Sequence, residues 1–306
     1  MRALVVGALI CSTLAVACGG GSETAGSDDR VLDVRVQVPA TDPTYVDFVS
    51  PEFEIEPGVE RMDCVHFRYD GEDTAIQDVN SLQGKYGHHA VLLAAKDPKE
   101  PGTREDCTNA EDMTKYDPFA IPVELPEGLG VYLPKGKPLV LQIHYVNAGK
   151  KPIRVRDVVR LKTIPIASVR RWAATFATNS LDVKVPARGE STLSFDCAVP
   201  IDADLLLLGG HMHEHGKRIA IELGPDDKSL EQLYATDWTA EYRDAPPITM
   251  MMTNPKPLQK GHILRTTCTW SNTESRPLTF PEEMCSAFGY VAGSKDAVVC
   301  RHGEGK

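Results

Sequence analysis

His211 and His213 stand two residues apart in Gly209-Gly210-His211-Met212-His213, directly after the apolar run Leu205–Leu208. That run reads as a buried strand. Residues i and i+2 of a strand face the same side, so both imidazoles address one point. Two convergent imidazoles make half a site for Cu, Zn, Fe or Ni. A second cluster lies earlier in the chain. His88-His89 follows Gly84-Lys85-Tyr86-Gly87 and precedes the apolar Ala90-Val91-Leu92-Leu93. Adjacent histidines on a regular strand point to opposite faces, so both reach one ion only where the backbone is irregular. A strand start after Gly87 is such a place. His144 lies in Leu139–Val146, a predicted strand with Gln142 and His144 on one face and Leu141, Ile143 and Tyr145 on the other. His88, His89 and His144 together would form an all-nitrogen site.

The pair His211 and His213 needs a third ligand. His215 qualifies if the strand runs on, but Gly216 argues that the chain turns there, as a solvated hairpin end. Met284, in Pro281-Glu282-Glu283-Met284-Cys285, is the other choice. Its thioether is a soft donor that suits Cu(I); a methionine also fills gaps in a core. No single pattern is decisive, and a lone strand histidine is ordinarily a core or surface residue. Weight comes from His-His, a strand histidine and His-x-His in one chain. His66, His262 and His302 read as ordinary histidines.

Elements that could position these groups are strands. Val31–Val38 alternates apolar and polar as a half-buried strand does, and clusters of Pro, Gly, Asp and Asn interrupt the chain at short intervals. Few windows keep a helical period beyond two turns. The expectation is an antiparallel all-β protein of β-sandwiches with Greek-key-like connections. About 275 residues follow residue 30, enough for two domains. The expected halves are 31–165 and 166–306, dividing near Ile164-Pro165.

Residues 1–17 carry Arg2, an apolar run and small closing residues. This is the shape of an export signal, shorter than a membrane span. Leu14-Ala15-Val16-Ala17-Cys18 resembles a bacterial lipobox. The resemblance implies cleavage before Cys18 and a lipid on that cysteine, anchoring the protein to a membrane of the cell envelope, on the periplasmic or cell-surface side. Residues 18–30 would then be a lipidated, Gly/Ser-rich tether. Six further cysteines remain, Cys64 and Cys107 in the first half and Cys197, Cys268, Cys285 and Cys300 in the second. An even number in an exported chain argues for disulfides. The division yields Cys64–Cys107 and leaves the other pairings open. A formal net charge of −10 gives no electrostatic reason to bind nucleic acid.

In order along the chain stand Gly87-His88-His89 with an apolar strand, Leu141-Gln142-Ile143-His144-Tyr145, Gly210-His211-Met212-His213 and Glu283-Met284-Cys285. With these motifs the chain resembles the copper type II, ascorbate-dependent monooxygenases, the family of peptidylglycine α-hydroxylating monooxygenase and dopamine β-monooxygenase. Asp237-Trp238 and Lys260-Gly261 extend the likeness, which covers roughly residues 60 to 300. It implies two jelly-roll-like β-sandwich domains with one copper on each, facing across a cleft. His88, His89 and His144 would hold the electron-transfer copper; His211, His213 and Met284 would hold the copper that binds oxygen. Gln142 would orient the first site. The implied disulfides are Cys64–Cys107, Cys197–Cys300 and Cys268–Cys285. The implied reaction hydroxylates a C–H bond of a small organic substrate with O2, using ascorbate or another one-electron reductant.

Departures bear on the substrate. An arginine two residues before the His-x-His helps peptide-amidating members hold a carboxylate; here that position is Gly209. The asparagine and tyrosine after their Met-Cys pair correspond to Ser286 and Phe288. Peptide amidation is therefore not expected, while Phe288 and Tyr290 could line the substrate side or simply fill the core. A zinc hydrolase is disfavoured, since no His-Glu-x-x-His occurs. A blue-copper carrier would need a free cysteine. The serious alternative is a non-catalytic exported copper-binding lipoprotein for storage, sensing or delivery.

Overall fold

A computed structural model describes residues 31–108, 115–243, 245–280 and 282–302. The signal segment, Cys18 and the tether lie outside the described residues. The chain is all-β, with 24 strands and two short 3-10 turns among the described residues, and no described helix is long and apolar enough to cross a membrane.

In the first half, Pro138–Val146 is the middle strand of a five-stranded sheet, between Glu60–Arg68 and Gly87–Ala95. Its alternation separates two environments. Leu139, Leu141, Ile143 and Tyr145 enter the main core. Val140 packs in a smaller cluster with Cys64, Cys107 and Tyr116. Across the same face, register pairs Gln142 with Cys64 and Val91, and His144 with Met62 and His89. One end of this face is thus closed by apolar packing and a disulfide, and the other end carries histidines.

The second half is a sandwich. Glu190–Ala198, Ile263–Ser271, Gly216–Gly224 and Glu231–Asp237 form an antiparallel four-stranded sheet. It packs over Arg171–Ser180, Ala203–His211 and Cys285–Ala292, with Phe176, Leu205, Ile219, Trp270 and Val291 buried between. Cys197–Cys300 and Cys268–Cys285 both cross this sandwich, and Cys64–Cys107 lies in the first half. Three disulfides fit an oxidising, exported setting.

Two features depart from separate antiparallel sandwiches. Arg171–Ser180 runs parallel to Leu129–Leu133, pairing Arg171 with Leu129 and Ala173 with Val131, so one ten-stranded sheet is shared by both halves. Tyr290 seals the same junction: its hydroxyl bonds the Ile121 N–H at 2.6 Å and the Ile121 carbonyl at 3.0 Å. Val31–Val38 is strand only at Leu32–Asp33. The amides of Leu32, Val34 and Val36 still bond the carbonyls of Pro152, Arg154 and Arg156. The segment is an edge laced on one side, which is why its alternation is strand-like without a full strand.

Candidate metal centre

The first histidine cluster is made by a bulge. Along Gly87–Ala95, His89 faces His144, but the next pair is Gly87 with Tyr145, so His88 is an extra residue without a partner across the ladder. A bulge turns its extra side chain out of the strict alternation. Tyr86, just before, has a φ of 70°, a conformation of about 1–3 kcal/mol strain for such a residue. The three rings consequently converge, with centroids 4.4 Å apart for His88 and His144, 5.1 Å for His89 and His144, and 5.4 Å for His88 and His89. One nitrogen from each lies within 4.8 Å of the others. The Nδ1 atoms of His88 and His89 are 3.2 Å apart. Two imidazole nitrogens bound tetrahedrally to one ion would stand about 3.3 Å apart.

Neighbours choose the tautomers. His89 Nε2 donates to Gln142 Oε1 at 3.1 Å, and His144 Nε2 donates to Glu60 Oε1 at 2.8 Å. Each bond leaves the Nδ1 lone pair for a metal. His144 Nδ1 is buried with no hydrogen-bond partner; proteins seldom leave such an atom unused. The three residues therefore fit a metal ion with nitrogen preference. Gln83 reaches the carbonyls of His89 at 2.9 Å and His144 at 3.2 Å, tying the two ligand strands together. Its role was not legible in the sequence, because it touches backbone and not the histidine rings.

The second set gathers at the turn after Ala203–His211. His211 is the last residue of that strand and His213 lies just beyond, yet their rings stay 5.1 Å apart. Glu283 holds the turn. Its buried carboxylate accepts from the amides of His213 at 3.1 Å and His215 at 2.6 Å, and from Trp270 Nε1 at 2.9 Å. The preceding residue contributes too: His213 Nδ1 donates to the Glu282 carbonyl at 3.1 Å, leaving Nε2 free for a metal. Trp238 Nε1 donates to the His213 carbonyl at 2.9 Å. Met284 directly follows Glu283, and the Cys268–Cys285 bridge pins the next residue. One segment, 282–285, therefore sets the position of His213 and delivers the thioether.

Both sets line a single cavity of about 360 Å³: His88, His89 and His144 from the first half, His211, His213 and Met284 from the second. Arg243 spans it. It bonds Glu214 and, at 3.2 Å, Glu60, which also holds His144. Burial is the first cause that lowers the imidazole pKa values. The neighbouring imidazole His144 adds to it at His89, and His88 and the Arg243 guanidinium add to it at His144; both fall from 6.5 to about 3. Burial also depresses His211, with His213 second, and His213, with Arg243 second. These rings are neutral and ready to ligate well below pH 6.5. They also make the metal-free protein acid-sensitive. The unfolded chain takes up protons below 6.5 that the folded one refuses until about 3, so stability falls across that window. Each such ring contributes up to about 1.4 kcal/mol per pH unit. Urea midpoints of the metal-free protein should drop between about pH 7 and 5, in the range of burial-driven shifts; an unchanged midpoint would contradict buried neutral rings.

All six sequence-predicted ligands face this cavity, and Gln142 lines it as well. His215, the other candidate for the third ligand, lines it too, and its backbone amide donates to Glu283 at 2.6 Å. His66 is buried and satisfied by Glu105 at 2.8 Å. Tyr290 is not on the cavity: it is a core residue at the junction. Phe288 covers Gly209, where an added Cβ would come within 2.6 Å of the ring. The position that carries arginine in peptide-amidating enzymes is here closed by an aromatic side chain. Glu60, Gln83, Arg243 and Glu283 were missed as functional residues; only the last had a cue, its place beside Met284.

No family model and no curated protein matches the chain. Among solved structures it is similar to dimeric latent PorU from Porphyromonas gingivalis, at 11% identity over 76% of this chain and 24% of that one, with a TM-score of 0.23. The chain thus spans about a quarter of PorU. A putative secreted protein from Eubacterium rectale is similar at 11% identity, over 83% of this chain and 70% of that one, with a TM-score of 0.24. VP54 of PBCV-1, fitted into a reconstruction of the virophage Sputnik, is similar at 6% identity, over 84% and 95%, with a TM-score of 0.25. Likenesses at these scores carry no weight for fold or function.

Proposed function

We propose that this chain is an exported copper-dependent monooxygenase that hydroxylates a C–H bond of a small organic substrate, using O2 and a one-electron reductant such as ascorbate. Cys18 carries its lipid anchor in the cell envelope. The observation that supports this reading most is the pairing of two unlike donor sets in the lining of one cavity: the three imidazoles of His88, His89 and His144 from the first half, and from the second half a thioether, Met284, with His211 and His213 and the nearby His215. A store or carrier has no evident need for two unlike donor sets in one cavity. Copper, when bound, supplies one-electron redox chemistry at both sets and oxygen binding at the softer one.

The chain's own residues do the rest. Gln142 and Glu60 hold His89 and His144 in the tautomer that presents Nδ1. The Glu282 carbonyl does the same for His213, presenting Nε2. Met284 biases its site toward the reduced ion. Arg243, flanked by Glu60 and Glu214, keeps the two sides together.

The test is oxygen uptake by the copper-loaded protein with ascorbate and a library of small organic compounds, matched against hydroxylated product. Coupled uptake should be lost in Met284→Ala while copper at the three-histidine set remains. Turnover unchanged by Met284→Ala contradicts the assignment; tight copper binding without oxygen uptake points to the non-catalytic copper lipoprotein.

A further inference from the structure

A second cavity, of about 120 Å³, shares Met284 as a wall with the first. Its other walls come from both halves: Leu93 and Pro118 from one, Ala177, Phe280 and Val299 from the other. Among the described residues no charged side chain lines it, whereas Glu60, Glu214, Arg243, Arg276 and Glu282 line the larger cavity. Three residues with polar groups line it: Tyr116, whose hydroxyl donates to Glu105 at 3.2 Å, and Asn179 and Ser286, which are register partners on adjacent strands. Asn179 Oδ1 is buried with no hydrogen-bond partner. Ser286 Oγ donates to the Thr178 carbonyl at 2.9 Å, so toward the cavity it has only lone pairs left. Asn179 Oδ1 is therefore a buried acceptor without a donor, which is costly, while its amide N–H groups remain donors.

We propose that this cavity binds a small, neutral hydrocarbon that carries one hydroxyl, with Asn179 accepting the hydroxyl hydrogen bond. A carboxylate would be buried with no cation in the lining to pair with, which is costly. An ammonium would be buried without a carboxylate to pair with, which is costly. Size sets the rest: an apolar cavity of about 150 Å³ holds one benzene, and this one, at about 120 Å³, is somewhat smaller but not enclosed, so a single ring is its upper limit and a short branched chain fits within it. The occupant lies against Met284 and hence beside the softer donor set. Calling it the substrate rests on the monooxygenase reading; the binding itself does not.

Phenol is the probe, with toluene, benzoate and benzylamine for comparison, titrated by calorimetry into the copper-loaded, reduced protein. Phenol should bind, and benzoate and benzylamine should bind more weakly or not at all. Asn179→Leu should weaken phenol by up to about tenfold, the worth of one hydrogen bond, and leave toluene little changed. Ala177→Phe should fill the cavity and abolish both. The proposal is overturned if phenol fails to bind, if it binds Ala177→Phe as well as the natural protein, or if a charged probe binds as tightly. Copper content, read on the same samples, reports on the monooxygenase reading separately, since phenol binding does not require the metal.

Discussion

Glu283→Ala is expected to cost about 3–9 kcal/mol of folding stability and to empty the thioether site of copper. The carboxylate accepts three hydrogen bonds in the interior, from the amides of His213 and His215 and from the Trp270 indole. Alanine leaves all three donors buried, at about 1–3 kcal/mol each. Burial raises the Glu283 pKa and the three donors pull it back down, so the carboxylate is held by these bonds and not by solvent. The same bonds set the path of the chain between His211 and His213. Glu283→Gln keeps the volume but turns an amide N–H toward donors, so it should lose less stability and still loosen His213. Urea unfolding of the metal-free variants, with copper counting of the loaded ones, checks both parts. Full copper content in Glu283→Ala would show that the turn is organised by something else.

The second large effect is expected at the other donor set. His144→Ala should release one copper of two and leave the other in place. Removing the imidazole takes away the buried Nδ1 that aims at His88 and His89, along with the bond to Glu60. Loss of a supporting neighbour of a metal ligand costs about 10–100-fold in affinity, and loss of the ligand itself should exceed that. Glu60→Ala should fall within the smaller range, because it only frees the tautomer and the ring. Competition with a Cu(I) chelator measures both. Equal release of both coppers from His144→Ala would mean that the two sets do not bind independently.

The strand character of the chain, the histidines that line the cavity and the disulfide between Cys64 and Cys107 were legible from local periodicity or simple counting, whereas Met284 was singled out from His215 only by the family resemblance. His144 and Gln142 share a face by alternation alone, and that face is the one that lines the cavity beside His88 and His89. The need for irregular backbone at His88-His89 was also readable, since adjacent strand residues cannot otherwise converge. What the irregularity was, a bulge opposite His144 and Tyr145, depends on which strand pairs there. The joining of the halves was not readable. The parallel pairing of Arg171–Ala173 with Leu129–Val131 links residues about forty apart, and nothing in either segment names its partner. Tyr290 stayed open between cavity and core for a related reason: an aromatic near a predicted ligand can face the cavity or the neighbouring half, and only packing decides for the core. Glu60 and Arg243 escaped notice because a charged residue in sequence looks like surface until an ion pair places it beside a ligand.

The most direct test of the account is X-ray absorption of the reduced, copper-loaded protein, taken with the copper count. The account predicts two coppers per chain, with sulfur scattering from one of them that disappears in Met284→Ala while nitrogen scattering and the three-histidine copper persist. One copper per chain, or no sulfur ligand in the natural protein, would contradict it.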